Sequence, residues 1–405
     1  MLKSSRKKRI LLVITRLTIG GDTNVVLDMA DYFNKHPDFE VLLAVGPVPD
    51  HEIDSTHLAY ERLIPVKIIP SLTNHINPIH NLKALLELRT VIVEGEFDIV
   101  HTHSSVAGVI GRLAAISAQV PVIVHHVHGW GLRKGMSFPV RTLYLKLEQL
   151  CARISDRLIA VSRPTIQKGL DHKICAVDKF TLIYNGIPLE RFRQSIDEKE
   201  LRLELGLHPD HKIVGMIGRL DQQKNPLDLI RSAAIVCQER SNVQFIIAGE
   251  GVLRPQCEAL IQELQLQDKF FLLGFRNDVE KIMPVLTLTA MSSLWEGLPV
   301  VFQESMSAGK PIVANDVDGA SDVIVNGETG FLVEPHKPQE MANSIMQLLN
   351  DDPLCHEMGV EARVRSNQFS VQRMLNEIEQ LYWDLLVWKG LVQEGYSLGN
   401  RVEPM

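Results

Sequence analysis

Short apolar runs alternate along the chain with longer segments whose apolar positions recur every three or four residues. The first pattern predicts strands and the second amphipathic helices. In the first half, strands are expected at Arg9–Thr15, Val41–Gly46, Val66–Pro70, Asp98–His103, Val120–His128, Arg157–Ser162 and Phe180–Asn185. In the second half they are expected at Lys212–Gly218, Val243–Gly249, Phe270–Phe275, Leu286–Ser292, Pro311–Asn315 and Gly330–Val333. Several runs are nearly unbroken and β-branched, such as Pro121-Val122-Ile123-Val124. That composition suits strands covered on both faces, as in a parallel sheet. Helical patterns lie between them, for example Asn24–Asn34, Val106–Ser117 and Asn225–Arg240. Strand–helix alternation, run through twice, predicts two doubly wound α/β domains.

The boundary is expected between Asn185 and Leu207. Asn185-Gly186-Ile187-Pro188 is a turn signal, a charged stretch follows at Asp197–Glu200, and a fresh strand begins near Lys212. The expected division is 1–188, 189–370 and a C-terminal helical segment, 371–405. In that segment Leu375, Ile378, Leu381, Tyr382, Leu385 and Leu386 form an apolar face that must be covered, with the N-terminal domain as one candidate.

Composition narrows the class. The chain has 405 residues, 45% apolar and 22% charged, enough to bury a large core and unlike disordered or fibrous sequences. No apolar run approaches the roughly 20 residues that span a bilayer. Basic residues Lys3, Arg6, Lys7, Lys8 and Arg9 lead into Ile10–Ile14, which is short for a signal-peptide core and reads as a first buried strand. The cysteines (Cys151, Cys175, Cys237, Cys257, Cys355) are scattered without a Cys-x-x-Cys pair, so neither a disulfide framework nor a cysteine zinc site is expected, and a reducing cytoplasm fits.

The net charge of −7 is unevenly spread. Residues 1–185 hold 22 Lys and Arg against 17 Asp and Glu, a net of +5; the remainder holds 20 against 32, a net of −12. A basic half suits phosphate or an anionic membrane surface. The acidic whole and 6% aromatic content argue against nucleic-acid binding.

Candidate chemistry gathers at strand ends. Gly20-Gly21 lies between the first strand and its helix, where close backbone approach and free N–H groups favour an anion. The G-x-G-x-x-G fingerprint is absent, which disfavours a dinucleotide dehydrogenase. Gly218-Arg219-Leu220-Asp221-Gln222-Gln223-Lys224-Asn225-Pro226 places two cations before a helix, with Asn225 as its expected N-cap and Pro226 in its first turn. Such a pair suits a diphosphate. Further on, Glu296 precedes Gly297, Leu298 and Pro299, and Glu304 is expected about two turns into the next helix. Two carboxylates so placed suit sugar and ribose hydroxyls.

Five histidines cluster at His101, His103, His125, His126 and His128. Alternation puts His101 with His103 on one face, and His126 with His128. Imidazoles are common metal ligands, but no carboxylate or cysteine stands at motif spacing. The preferred reading is polar strand-end residues lining a cleft, with no metal. His128, beside Gly129, is the member most suited to a functional role.

These motifs resemble the retaining glycosyltransferases of family 4. The resemblance rests on Gly20-Gly21, Gly218-Arg219-Leu220 with Lys224-Asn225, Glu296-x7-Glu304, Ala308–Ala314 and Asn326–Val333, and covers nearly the whole chain. It implies the α/β fold called GT-B, with two Rossmann-like doubly wound domains facing across a deep cleft, and a nucleotide diphosphate sugar as co-substrate. No cofactor and no metal are implied. Arg219 and Lys224 would hold the diphosphate and offset charge on the leaving group. Glu304 would bind ribose and Glu296 the donor sugar. Gly218, Gly297, Leu298 and Pro299 would shape that pocket. Gly20 and Gly21 would meet the diphosphate as the domains close, and His128 would approach the sugar. Retention by front-face attack needs no covalent nucleophile.

Two positions depart from the family pattern. Thr23 stands where an acidic residue is frequent, and Asp322 ends Asp318-Gly319-Ala320-Ser321-Asp322 where Glu is usual.

The resemblance implies transfer to a lipid-linked or saccharide acceptor in polysaccharide or glycoconjugate assembly, with UDP favoured over GDP by family frequency. The alternatives on this fold are a sugar-nucleotide epimerase or a transferase to a small soluble acceptor. An alternative of another class is a non-catalytic nucleotide-sugar-binding protein. Gly131–Asp156 interleaves Arg133, Lys134, Arg141, Lys146 and Arg153 with Phe138, Val140, Leu143, Tyr144, Leu147 and Leu150. That pattern suits either peripheral contact with an anionic membrane, on its cytoplasmic face, or an ordinary packed helix.

Overall fold

The computed structural model describes residues 6–50, 52–74, 77–132 and 136–393. Lys3, Arg133, Lys134 and the end of the C-terminal segment lie outside them. The chain divides into two units, Met1–Asn185 with Gln372–Met405, and Gly186–Val371.

The first unit is built on a seven-stranded sheet. Its strands are β1 (Lys8–Ile14), β2 (Phe39–Val45), β3 (Val66–Ile68), β4 (Ile99–His103), β5 (Val122–Val127), β6 (Arg157–Ala160) and β7 (Phe180–Leu182). Their order is β3-β2-β1-β4-β5-β6-β7, and every pairing is parallel. The second unit carries β8 (Lys212–Ile217), β9 (Val243–Ala248), β10 (Phe270–Gly274), β11 (Leu288–Met291), β12 (Ile312–Asn315) and β13 (Gly330–Val333). Their order is β10-β9-β8-β11-β12-β13, again all parallel. The expected strands are present, most shorter than expected by a residue or more; β5 stops at Val127 and leaves His128 beyond it.

Both orders reverse direction once, between β1 and β4 and between β8 and β11. In doubly wound sheets, ligands bind beyond the carboxyl ends of the strands at such a reversal. The reason for burial is visible in the strands themselves. Leu11, Leu12 and Val13 in β1 and Val214 and Met216 in β8 are fully buried, because helices cover both faces of each sheet.

The helix Val371–Trp388 packs on the first unit. Tyr382 meets Phe33 with ring centroids 5.1 Å apart, Trp383 meets Phe39 at 4.7 Å, and Tyr32 donates to Glu379 at 2.6 Å. Among the described residues no helix is long and apolar enough to cross a membrane.

Candidate functional site

In the second unit two loops leave adjacent strands at the chain reversal. Residues 218–225 follow β8, and residues 292–299 follow β11. Backbone and side-chain bonds tie them together. Ser292 donates through Oγ to the carbonyls of Lys224 (3.1 Å) and Asn225 (2.8 Å), and Leu294 N donates to the Gln223 carbonyl at 2.8 Å. From the end of β12, the Asn315 amide donates to the carbonyls of Ser292 and Ser293.

This frame brings Lys224 onto Glu296, with Nζ 2.5 Å from Oε1. The two side chains are only 13% and 7% exposed. Gln223 donates to Glu296 Oε2 at 3.4 Å and to the Trp295 carbonyl at 3.0 Å. Arg219 is more open, and is held by Asp221 Oδ2 at 2.8 Å and Gln223 Oε1 at 2.9 Å. The loop thus presents one sequestered and one exposed cation beside a carboxylate, an arrangement able to hold an anion and a hydroxyl-bearing group together.

Local backbone explains the placement. Asn225 stands just before the helix Pro226–Glu239, but it does not cap it through its side chain. Its backbone is left-handed, φ 48°, and its amide donates instead to Asp228. Asn is among the few residues that adopt this region readily. Pro299 precedes the helix Val300–Ser307, so Glu304 lies just over one turn in, not two. The helix starts later than the proline suggests because Pro299 is buried and still extended. Burial pushes the Glu304 carboxyl up to about 7, with Arg191 and Lys224 opposing and Glu280 adding. Arg191 itself donates to Glu280 at 2.9 Å.

Glycines set two close approaches that the motif reading missed. A Cβ on Gly249 would lie 1.9 Å from the Gly218 carbonyl oxygen, and one on Gly319 would lie 2.1 Å from that of Gly297. The 218–225 loop therefore rests on the turn after β9, and the 292–299 loop on the Asp318–Ala320 turn. Gly-Glu-Gly at 249–251 was the sequence signal for the first contact. Asp221, Gln223, Arg191 and Glu280 carry no comparable signal.

In the first unit, Gly20 and Gly21 follow β1, and Gly21 opens the helix Gly21–Lys35. Thr15 and Ser104, at the ends of β1 and β4, share a 2.6 Å hydroxyl bond. His128, just past β5, pairs through Nε2 with His103 Nδ1 at 3.1 Å. Burial lowers the His128 pKa, and the Asp22 carboxylate opposes this.

His101, His103 and His126 do not line an open wall as expected. All three are fully buried, stacked with ring centroids 4.5 to 5.6 Å apart. Tyr382 packs edge-on against His101 and meets its Nδ1 at 2.6 Å. His125 faces the other way, against Thr102 and Gly108.

Two family profiles match the chain: Glycosyltransferase Family 4 over residues 19–191, and Glycosyl transferases group 1 over residues 197–365. Over 355 residues the chain is 31% identical to the UDP-Gal:alpha-D-GlcNAc-diphosphoundecaprenol alpha-1,3-galactosyltransferase of Escherichia coli, spanning 85% of this chain and 88% of that enzyme. The chain belongs to glycosyltransferase family 4. It is also 28% identical over 312 residues to the capsular polysaccharide biosynthesis glycosyltransferase CapM of Staphylococcus aureus, spanning 75% and 80% of the two chains. The crystal structure of HepE from Anabaena, in complex with UDP and glucose, matches with a TM-score of 0.81 and 24% identity over 93% of this chain and 100% of that one. The fold is GT-B, and this family 4 member is a glycosyltransferase.

Proposed function

We propose that the chain transfers a sugar, with retention of configuration, from a UDP-sugar to a lipid-linked or saccharide acceptor of polysaccharide assembly. The observation that carries this reading is the Lys224–Glu296 contact at the β8–β11 reversal, with Glu304 on the next helix. Lys224 and Arg219 hold the donor diphosphate and offset the charge on the departing UDP, so no metal is needed there. Glu304 accepts from the ribose hydroxyls and Glu296 from the donor sugar. Gly218, Gly297, Leu298 and Pro299 shape the pocket by backbone. Following the family pattern, Gly20 and Gly21 serve the diphosphate and His128 the sugar. The donor domain is 189–370 and the acceptor-side domain 1–188, with 371–405 as an appended segment that opens with the helix Val371–Trp388.

The E. coli relative's name specifies UDP-Gal and a diphosphoundecaprenol-linked acceptor, which supports a UDP donor and a lipid-linked acceptor here. The helix Phe138–Ile154 supports a peripheral position on the cytoplasmic face of a membrane. It exposes Phe138, Val140, Leu143 and Leu150 beside Arg141, Lys146 and Arg153.

The test is thermal stabilisation of the purified chain by a panel of nucleotides and nucleotide sugars. A shift with UDP, enlarged by one UDP-sugar, is expected and names the donor. A shift with GDP alone overturns the UDP assignment. No shift with any of them removes the Lys224 and Glu304 roles.

A further inference from the structure

The histidine stack in the first unit is built like a metal centre. His101 and His103 stand two apart on β4, so their side chains leave the same face. His126 lies on β5 in register with His103. A ligand nitrogen from each lies within 4.8 Å of the others, and all three residues are fully buried. His101 Nε2 and His103 Nε2 have no hydrogen-bond partner. A buried polar atom left so costs about 1–3 kcal/mol, which calls for a compensating ligand.

The outer contacts are those that ligating imidazoles require. A metal-bound histidine donates its other N–H to a neighbour, which fixes the tautomer and aims the free lone pair at the ion. His101 has Tyr382 OH at Nδ1, 2.6 Å away, and His103 has His128 Nε2 at Nδ1, 3.1 Å away. With both Nδ1 atoms donating, both Nε2 lone pairs are free. Asn185 stands beside His126.

We propose that His101, His103 and His126 bind one divalent transition-metal ion of the zinc class. Three imidazoles with no carboxylate suit zinc, cobalt, nickel or copper rather than magnesium or calcium. At about 2.0–2.1 Å per bond, a tetrahedral ion holds its nitrogens about 3.3 Å apart, so the stacked rings turn inward on capture. The ion fastens β4 to β5 and, through Tyr382 and His128, fixes the helix Val371–Trp388 and the His128 ring. It is a structural ion, distinct from the donor diphosphate site in the second unit.

The experiment uses the untagged full chain, stripped with a chelator. It is titrated with Zn²⁺ against a chromogenic competitor, and Co²⁺ is added separately for its visible spectrum. One equivalent of Zn²⁺ per chain and a tetrahedral cobalt spectrum are expected. His101→Gln and His126→Ala should each weaken binding by about 100-fold or more. Equal binding by wild type and both variants overturns the proposal, as does the absence of a saturable equivalent in wild type. Should the variants unfold, X-ray absorption of the Zn²⁺-loaded wild type decides. A first shell with three imidazoles supports the site, and a shell of sulfur or carboxylate oxygen overturns it.

Discussion

Nζ of Lys224 lies 2.5 Å from Oε1 of Glu296, joining the loops that leave β8 and β11. In this structure each charge neutralises the other, and in the proposed role of Lys224 the incoming diphosphate competes for the ammonium. Removing one partner of a mostly buried pair strands the other. Lys224→Ala is therefore expected to lower both stability and turnover, with kcat/KM falling about 10²–10³-fold. Adding Glu296→Gln should restore part of the stability and none of the activity. Steady-state kinetics with the donor and a melting curve on both variants measure this. Unchanged kinetics in Lys224→Ala would remove the diphosphate assignment.

The proposed ribose role of Glu304 predicts a pH dependence of donor binding. Its carboxyl is pushed up to about 7, chiefly by burial. In its proposed role, the ionised carboxylate accepts from both ribose hydroxyls; protonated, it loses acceptor capacity. Nucleotide affinity is thus expected to be full above pH 7 and to fall as pH drops through 7. The free protein behaves in the opposite sense. Its folded carboxyl binds protons more tightly than the unfolded one, so the Glu304 contribution to stability declines as pH rises from about 4.5 to 7. Glu304→Gln should bind more weakly and flatten the profile. Isothermal titration with UDP between pH 5.5 and 8.5 separates these outcomes; a persisting slope in the variant assigns the titration to another group.

The strands were legible because parallel strands covered on both faces need unbroken apolar runs, as at residues 10–14, Ile-Leu-Leu-Val-Ile. The pairing of Lys224 with Glu296 was not, since 72 positions separate them and only the β8–β11 register brings them together. The histidines show the same limit. Alternation gives the shared face of His101 and His103, but it does not place His126 opposite His103, nor Tyr382 over His101 from 281 positions away. Asn225 marks a third case. Its residue type fits both an N-cap and a left-handed turn, and the contact with Asp228 decides for the turn.

Gly249 offers a test of the loop support without touching a charged residue. Its Cβ position lies 1.9 Å from the Gly218 carbonyl oxygen, a backbone atom that cannot swing aside as a side chain can. Gly249→Ala must push the 218–225 loop away from the turn after β9. Arg219 and Lys224 then move relative to Glu296, and a misplacement near 1 Å can cost about a hundredfold. The expected result is a lower melting temperature and a rise of at least tenfold in donor KM. Wild-type donor binding in Gly249→Ala would show that this support is not needed.

The helix Phe138–Ile154 has one face fixed and one face free. On the fixed face, Glu148 accepts from buried Arg112 at 2.8 Å, and Cys151 and Ala152 are buried. On the free face, Phe138 is 80% and Leu143 54% exposed, with Arg141 and Lys146 exposed beside them. Apolar side chains interleaved with cations are attracted to an anionic bilayer by burial and by charge, at about 1 kcal/mol per cation. Arg141→Glu with Lys146→Glu should therefore weaken binding to phosphatidylglycerol vesicles by about 2 kcal/mol or more, roughly thirtyfold. Phe138→Ser with Leu143→Ser should weaken binding to the same vesicles while keeping its salt dependence. Neither pair should change donor binding, since none of the four residues belongs to the Lys224–Glu296 site. Cosedimentation with vesicles of graded anionic content, at two salt concentrations, reads both terms. Equal sedimentation of wild type and both variants would make the free face an ordinary solvated surface and leave membrane contact to another part of the chain.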